Sequence, residues 1–155
     1  MEELRGGADV VLKKIMRQAA AERASDVHIE PGASFVRVRF RKDGLLSDRF
    51  CLSSSMAPNL SVRVKVLGRL DVGESRLPQD GSWAEEIDGV PYDFRISVLP
   101  SMYGETIVIR ILSGRVNFIE KNELGMRREQ ESLFRWALSK GQGLILTTGP
   151  TGSGK

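Results

Sequence analysis

The segment Phe35–Arg41 constrains the fold more than any other part of the chain. Val36, Val38 and Phe40 alternate with Arg37, Arg39 and Arg41. A helix would scatter these side chains around its axis. Only an extended strand, with its two-residue period, puts the apolar set on one face and the cations on the other. Asp43-Gly44 follows, a dipeptide suited to a tight hairpin, and Leu45-Leu46 begins the return strand. The alternation recurs in Tyr92–Leu99, where Tyr92, Phe94, Ile96 and Val98 oppose Asp93, Arg95 and Ser97. Further strands are predicted at Val27–Glu30, Ser82–Ile87 and Glu105–Leu112. Asp88-Gly89 and the turn Pro100–Gly104 join the last strands into a meander.

Two stretches carry a helical period instead. From Ala8 to Ala24, Val11, Ile15 and Ala19 form one stripe with Leu12 and Met16 beside it, and Lys13, Lys14, Arg17 and Arg23 are left for solvent. From Pro58 to about Leu70, Leu60, Val64 and Leu67 make an apolar face, and a proline fits a first helical turn. Together these elements predict an α+β fold, with helices packed on a mainly antiparallel sheet. It occupies residues 1–112. Residues 113–125 contain Gly114 and Gly125 and no clear period, and read as an interdomain linker. Residues 126–155 read as the start of a second domain. A helix from about Arg127 to Lys140 is followed by Leu144-Ile145-Leu146, a short apolar run of the kind buried in parallel sheets.

That run leads into Gly149-Pro150-Thr151-Gly152-Ser153-Gly154-Lys155, which fits G-x-x-x-x-G-K, the phosphate-binding loop. The glycines let successive backbone N–H groups turn toward a phosphate, and the lysine supplies a point charge for the β- and γ-phosphates. A flexible glycine-serine tail is the ordinary alternative; the apolar strand before the loop and the proline within it argue against that. The sequence ends at Lys155, before the hydroxyl residue that binds magnesium in such loops and before the helix that faces the phosphate. The 155 residues by themselves are therefore expected to form no closed nucleotide site and to be inactive.

Composition excludes other classes. The net charge of +3 is too small an excess to argue for nucleic acid. One cysteine, Cys51, cannot form an intramolecular disulfide, and one histidine with one cysteine leaves little for a zinc site. No apolar run approaches the roughly 20 residues of a transmembrane helix, and no signal core opens the chain, so a cytoplasmic location is expected.

Several segments, in order and spacing from about residue 8 onward, together resemble the type II secretion and type IV pilus assembly ATPases of the GspE/PilB type. They are Glu22–Pro31, Val38–Gly44, Arg63–Leu67, Leu70–Val72, Arg76–Gly81, Phe94–Pro100, Gly104–Arg110 and Gly143–Lys155. The resemblance implies a two-lobed protomer in a homo-hexamer that hydrolyses ATP with Mg²⁺. Closure of the lobes would drive assembly of pilins or pseudopilins, with inner-membrane platform and cytoplasmic adaptor proteins as partners. It also implies that Arg95 and Arg110 reach the phosphates from the preceding lobe. Two guanidiniums on neighbouring strands suit that role, since both can chelate phosphate oxygens. From pattern alone, each arginine could equally be a solvated strand residue paired to Asp93 or Glu105. Arg37, Arg39 and Arg41 read as a solvated face, with a protein interface as second choice. His28 reads as a satisfied structural histidine. Arg76 and Asp80 could pair with each other or meet a neighbouring lobe. Two departures stand out: Tyr103 lies where the family more often carries histidine, and Ser82-Trp83 follows Gln79-Asp80-Gly81 where relatives show a basic residue. The rival functions are a docking and oligomerisation module without catalysis, a retraction motor of the same superfamily, and nucleic-acid binding.

Overall fold

The computed structural model describes residues 2–4, 6–113 and 125–149, and the chain divides into two units, Met1–Val116 and Asn117–Lys155. The first unit holds a seven-stranded sheet with two helices on one face. In chain order its elements are β1 (Glu2–Glu3), α1 (Ala8–Ala21), β2 (Asp26–Pro31), β3 (Phe35–Lys42), β4 (Leu45–Ser53), α2 (Met56–Gly68), β5 (Gln79–Ile87), β6 (Val90–Ser101) and β7 (Gly104–Ser113). The expected α+β arrangement is present. The sheet order is β1-β4-β3-β2-β7-β6-β5, so it is more than one meander. Two three-strand meanders, β2–β4 and β5–β7, are joined where β2 pairs antiparallel with β7. The short β1 adds parallel to β4, an edge strand that the pattern of the first nine residues did not indicate.

The alternation in the strands sorts their side chains between two faces. Val27, Ile29, Val36, Val38, Phe40, Phe94, Ile96, Val98, Ile107 and Ile109 are buried against α1 and α2. From α1 come Val11, Leu12, Ile15, Met16 and Ala19, and from α2 come Leu60 and Val64. Phe40 meets Phe50 edge-on at 5.9 Å, and Trp83 stacks on Phe94 at 4.5 Å. Trp83 therefore serves the core, with its body on the helix-covered face.

Both helices stop earlier than their apolar periods suggest, α1 at Ala21 and α2 at Gly68. Arg23 (φ 56°) and Arg69 (φ 56°) adopt the left-handed conformation just beyond. In each case two backbone bonds close the end: Ala24 N to Ala19 O (2.9 Å) with Arg23 N to Ala20 O (3.1 Å), and Leu70 N to Lys65 O (2.9 Å) with Arg69 N to Val66 O (3.3 Å). This is the Schellman closure, built here on arginine rather than glycine. The helix α2 begins at Met56, two residues before Pro58, which sits in the first turn as its missing N–H allows.

The end of α2 packs closely on the sheet. A Cβ at Gly81 would fall 2.7 Å from the Gly68 carbonyl oxygen, and a Cβ at Gly68 would fall 2.4 Å from Ile96 Cδ1. Nearby, Lys65 is almost fully buried and pairs with Glu105 of β7, while its Nζ also donates to Glu74 O at 2.7 Å. Ser61 donates to the same Glu105 carboxylate. Gln79 ties the connecting loop together: it accepts from Asp71 N and donates to Asp71 O and Glu74 O. Arg76 pairs with Glu74, not with Asp80.

In the second unit, α3 (Arg128–Leu138) has no buried residue, and Leu133, Trp136 and Leu138 are exposed. Leu144, Ile145 and Leu146 form no strand in the structure and are exposed as well. A buried parallel strand needs hydrogen-bonded neighbours on both sides, and the second unit contains no described strand to supply them.

Candidate functional site on the open face of the sheet

Helices cover one face of the sheet; the opposite face carries the charged half of each alternating strand. β6 and β7 pair through the turn Ser101–Gly104 in a register that sets Arg95 directly opposite Arg110. The strand pairing extends the row. Arg110 lies opposite Asp26 of β2, Asp26 opposite Arg41 of β3, and Arg95 opposite Ser82 of β5. Three guanidiniums and one carboxylate thus line up across four neighbouring strands. The next row contains Asp80, Ser97, Val108, His28, Arg39 and Asp48.

The two central arginines differ. Arg95 is exposed and, among the described residues, has no hydrogen-bond or ion-pair partner. Arg110 donates from Nε to Asp26 Oδ1 at 3.1 Å, so neither arginine pairs with Asp93 or Glu105. Asp26 is nearly buried, accepts from Ser25 Oγ at 2.8 Å, and has Arg41 Nε at 3.6 Å. Burial opposes ionisation of Asp26, but the hydrogen bonds from Ser25 and Arg110 and the charge of Arg110 outweigh it and hold its carboxyl below the ordinary range. Beside the arginine pair a cavity of about 210 Å³ is lined by Asp80, Arg95, Ile96, Ser97, Val108 and Arg110.

The remaining cations of this face are engaged rather than simply solvated. Arg39 pairs with Glu30, Arg41 donates to Gly44 O at 3.0 Å as well as facing Asp26, and Arg37 lies over the Phe35 ring. His28 is a sheet residue as expected, yet it is not fully satisfied: its Nε2 is buried with no partner among the described residues, and Nδ1 is 4.0 Å from Glu30. Burial, the largest influence, lowers its pKa. Glu22 belongs to a helix-to-strand junction, bonded to Gln18 and to Arg49, the residue skipped by the register shift in β4. Tyr103 sits exposed at the β6–β7 turn. The pairing of Asp26 with Arg110, 84 residues apart, escaped sequence reasoning. The polar character of Asp26, His28 and Glu30 in an otherwise apolar strand was the available signal, but it did not reveal which strand would lie alongside.

Of the motif Gly149–Lys155, Gly149 lies among the described residues, and Pro150, Thr151, Gly152, Ser153, Gly154 and Lys155 lie outside them, as do residues 114–124 of the expected linker. No described group of His, Cys, Asp and Glu could hold a metal ion, and no described helix is long and apolar enough to cross a membrane.

Residues 5–155 match the family model for type II/IV secretion system proteins. The chain belongs to that family. Similar proteins include a protein transport protein HofB homolog from Escherichia coli (strain K12), 44% identical over 94% of this chain and 32% of the relative. Type II secretion system ATPase E of Vibrio cholerae is 39% identical over 94% of the chain and 29% of the relative. The type IV pilus assembly ATPase PilB of Acinetobacter baylyi is 40% identical over 99% and 27%. The chain therefore spans about a third or less of these curated relatives. Among solved structures, the pilus retraction motor PilT with bound ADP superposes with a TM-score of 0.55 at 24% identity, over 93% of this chain and 39% of that one. At that identity the likeness concerns the fold alone.

Proposed function

We propose that this chain is the phosphate-contacting lobe, with the beginning of the motor lobe, of an ATPase that powers type II secretion or type IV pilus assembly. The observation that carries this reading is the arginine pair of β6 and β7: Arg95 and Arg110 stand opposite each other beside a cavity, and Arg95 has no carboxylate of its own among the described residues. Two adjacent guanidiniums repel each other unless an anion lies between them, so a phosphate fits the pair. In this reading Gly149–Lys155 grips the nucleotide from the other lobe, and Mg²⁺ arrives with ATP. The protomers form a homo-hexamer in the cytoplasm, against an inner-membrane platform and adaptor proteins. Relatives named as secretion and pilus ATPases support the reaction class.

The arginines act where charge develops during γ-phosphoryl transfer, whereas the phosphate loop provides most of the ground-state binding. In the complete protein, Arg95→Ala or Arg110→Ala is expected to lower kcat by about two to four orders of magnitude, with a much smaller effect on nucleotide affinity. Steady-state ATPase kinetics, with hexamer formation checked separately, test this. Wild-type turnover in both variants would leave the pair as ordinary surface arginines and favour a docking module.

A further inference from the structure

We propose that Asp26 is a positioning residue for Arg110: it fixes the guanidinium through Nε and leaves the two terminal amino groups aimed at the phosphate, while Arg95 is recruited only by the ligand. The proposal rests on the reading of the arginine pair given above and adds a division of labour within it.

The geometry is asymmetric in a useful way. Arg110 spends its inner nitrogen on Asp26 at 3.1 Å, yet its side chain remains 64% exposed, and its terminal nitrogens have no partner among the described residues. A guanidinium anchored by Nε keeps its fork free for a bidentate contact, with its torsions already chosen. Asp26 can serve as the anchor because it is itself immobile. Its side chain is only 9% exposed, its strand is paired on both sides, and Ser25 Oγ holds Oδ2 at 2.8 Å.

The charge count of the row argues against a closed structural ion pair. One carboxylate is shared by Arg110 at 3.1 Å and Arg41 at 3.6 Å, and Arg95 follows with none. The row is therefore short of negative charge at its Arg95–Arg110 end, beside the 210 Å³ cavity. An anion arriving there meets one guanidinium already oriented and one still free. Pre-orientation affects the transition state most, because a misaimed donor loses most of its effect on developing charge.

The test is steady-state ATPase kinetics on the complete hexameric protein. Asp26→Asn keeps size and backbone pairing but removes the charge. It is expected to lower kcat by about tenfold to a hundredfold while KM for ATP changes by less than about threefold. Asp26→Glu should fall between Asn and wild type. In an Arg110→Ala background, Asp26→Asn should lower kcat no further, since the residue it positions is gone. A merely structural Asp26 would give multiplying losses, and that outcome, or wild-type turnover in Asp26→Asn, overturns the proposal. Should Asp26→Asn fail to assemble, Asp26→Glu decides alone: reduced kcat with unchanged KM supports positioning, and wild-type kcat refutes it. If Arg95→Ala and Arg110→Ala both turn over normally, the functional reading fails first; if Arg110→Ala alone does, the positioning proposal is overturned. If Arg110→Ala collapses while Asp26→Asn does not, only the positioning role is lost.

Discussion

At the scale of residues, His28 and Asp26 sit two positions apart on β2 and give the protein two separate pH windows. His28 is largely buried, with Arg39 opposite on β3, Val108 opposite on β7, and Asp26, Glu30 and Arg41 nearby. Burial disfavours its charged form and outweighs the nearby carboxylates, so its folded pKa lies below 6.5. The unfolded chain then binds a proton that the folded chain resists. Stability is fully present above about pH 6.5 and falls as pH drops from there toward the folded value, by at most about 1.4 kcal/mol per pH unit. Asp26 has the opposite chemistry: its folded pKa is below 3.8, so its contribution is complete above that value and disappears as pH falls through the folded pKa. Denaturant midpoints at pH 7.5 and 5.5 separate the two. His28→Gln is expected to flatten this difference, and an unchanged slope in the variant would show that His28 is not its source. The sequence displays His28 in a strand, which was enough to favour a structural role. It did not reveal the partnerless Nε2, because that depends on what β3 and β7 bring beside it.

At the scale of elements, the helix ends are where local pattern and structure part. Apolar spacing extends α1 toward Ala24 and α2 toward Leu70, yet each closes on an arginine in the left-handed region. Glycine is the usual marker of such a closure, and its absence concealed both. The conformation costs a residue with Cβ about 1–2 kcal/mol, partly offset by the greater freedom of glycine in the unfolded chain. Arg23 and Arg69 are exposed. Arg23→Gly and Arg69→Gly are therefore each expected to stabilise the protein by about 0.5–1 kcal/mol, read as a rise in the thermal midpoint. A fall for either would mean that the arginine makes a contact worth more than its strain. The strands behaved differently. The alternation of Phe35–Arg41 and Tyr92–Leu99, with Asp43-Gly44 and Asp88-Gly89, marked the hairpins correctly because side-chain period and turn chemistry are properties of adjacent residues. The run Leu144–Leu146 misled for the complementary reason: an apolar triplet has strand character but becomes a strand only when neighbours pair with it.

At the scale of the whole molecule, every described residue of the buried core, from Leu4 to Ile109, belongs to the first unit. Residues from about 8 to 112 are accordingly expected to fold alone and melt cooperatively, and limited proteolysis of the chain should leave them as a resistant fragment. A first cut within Val90–Ser113 would show that the core has been misplaced. The fold class and the orientation of Arg95 away from the core followed from the sequence alone, because the two-residue period assigns a face to each side chain before any strand finds a partner. The motif Gly149–Lys155 is likewise a pattern of consecutive residues, and its reading as a phosphate loop belongs to the proposed function. The union of the two meanders through β2 and β7 was decided only by tertiary structure. That pairing brings Asp26 to Arg110 across 84 positions and leaves Arg95 with no ion-pair partner among the described residues. Period tells a residue which face to occupy; only the register between distant strands determines which charges share that face.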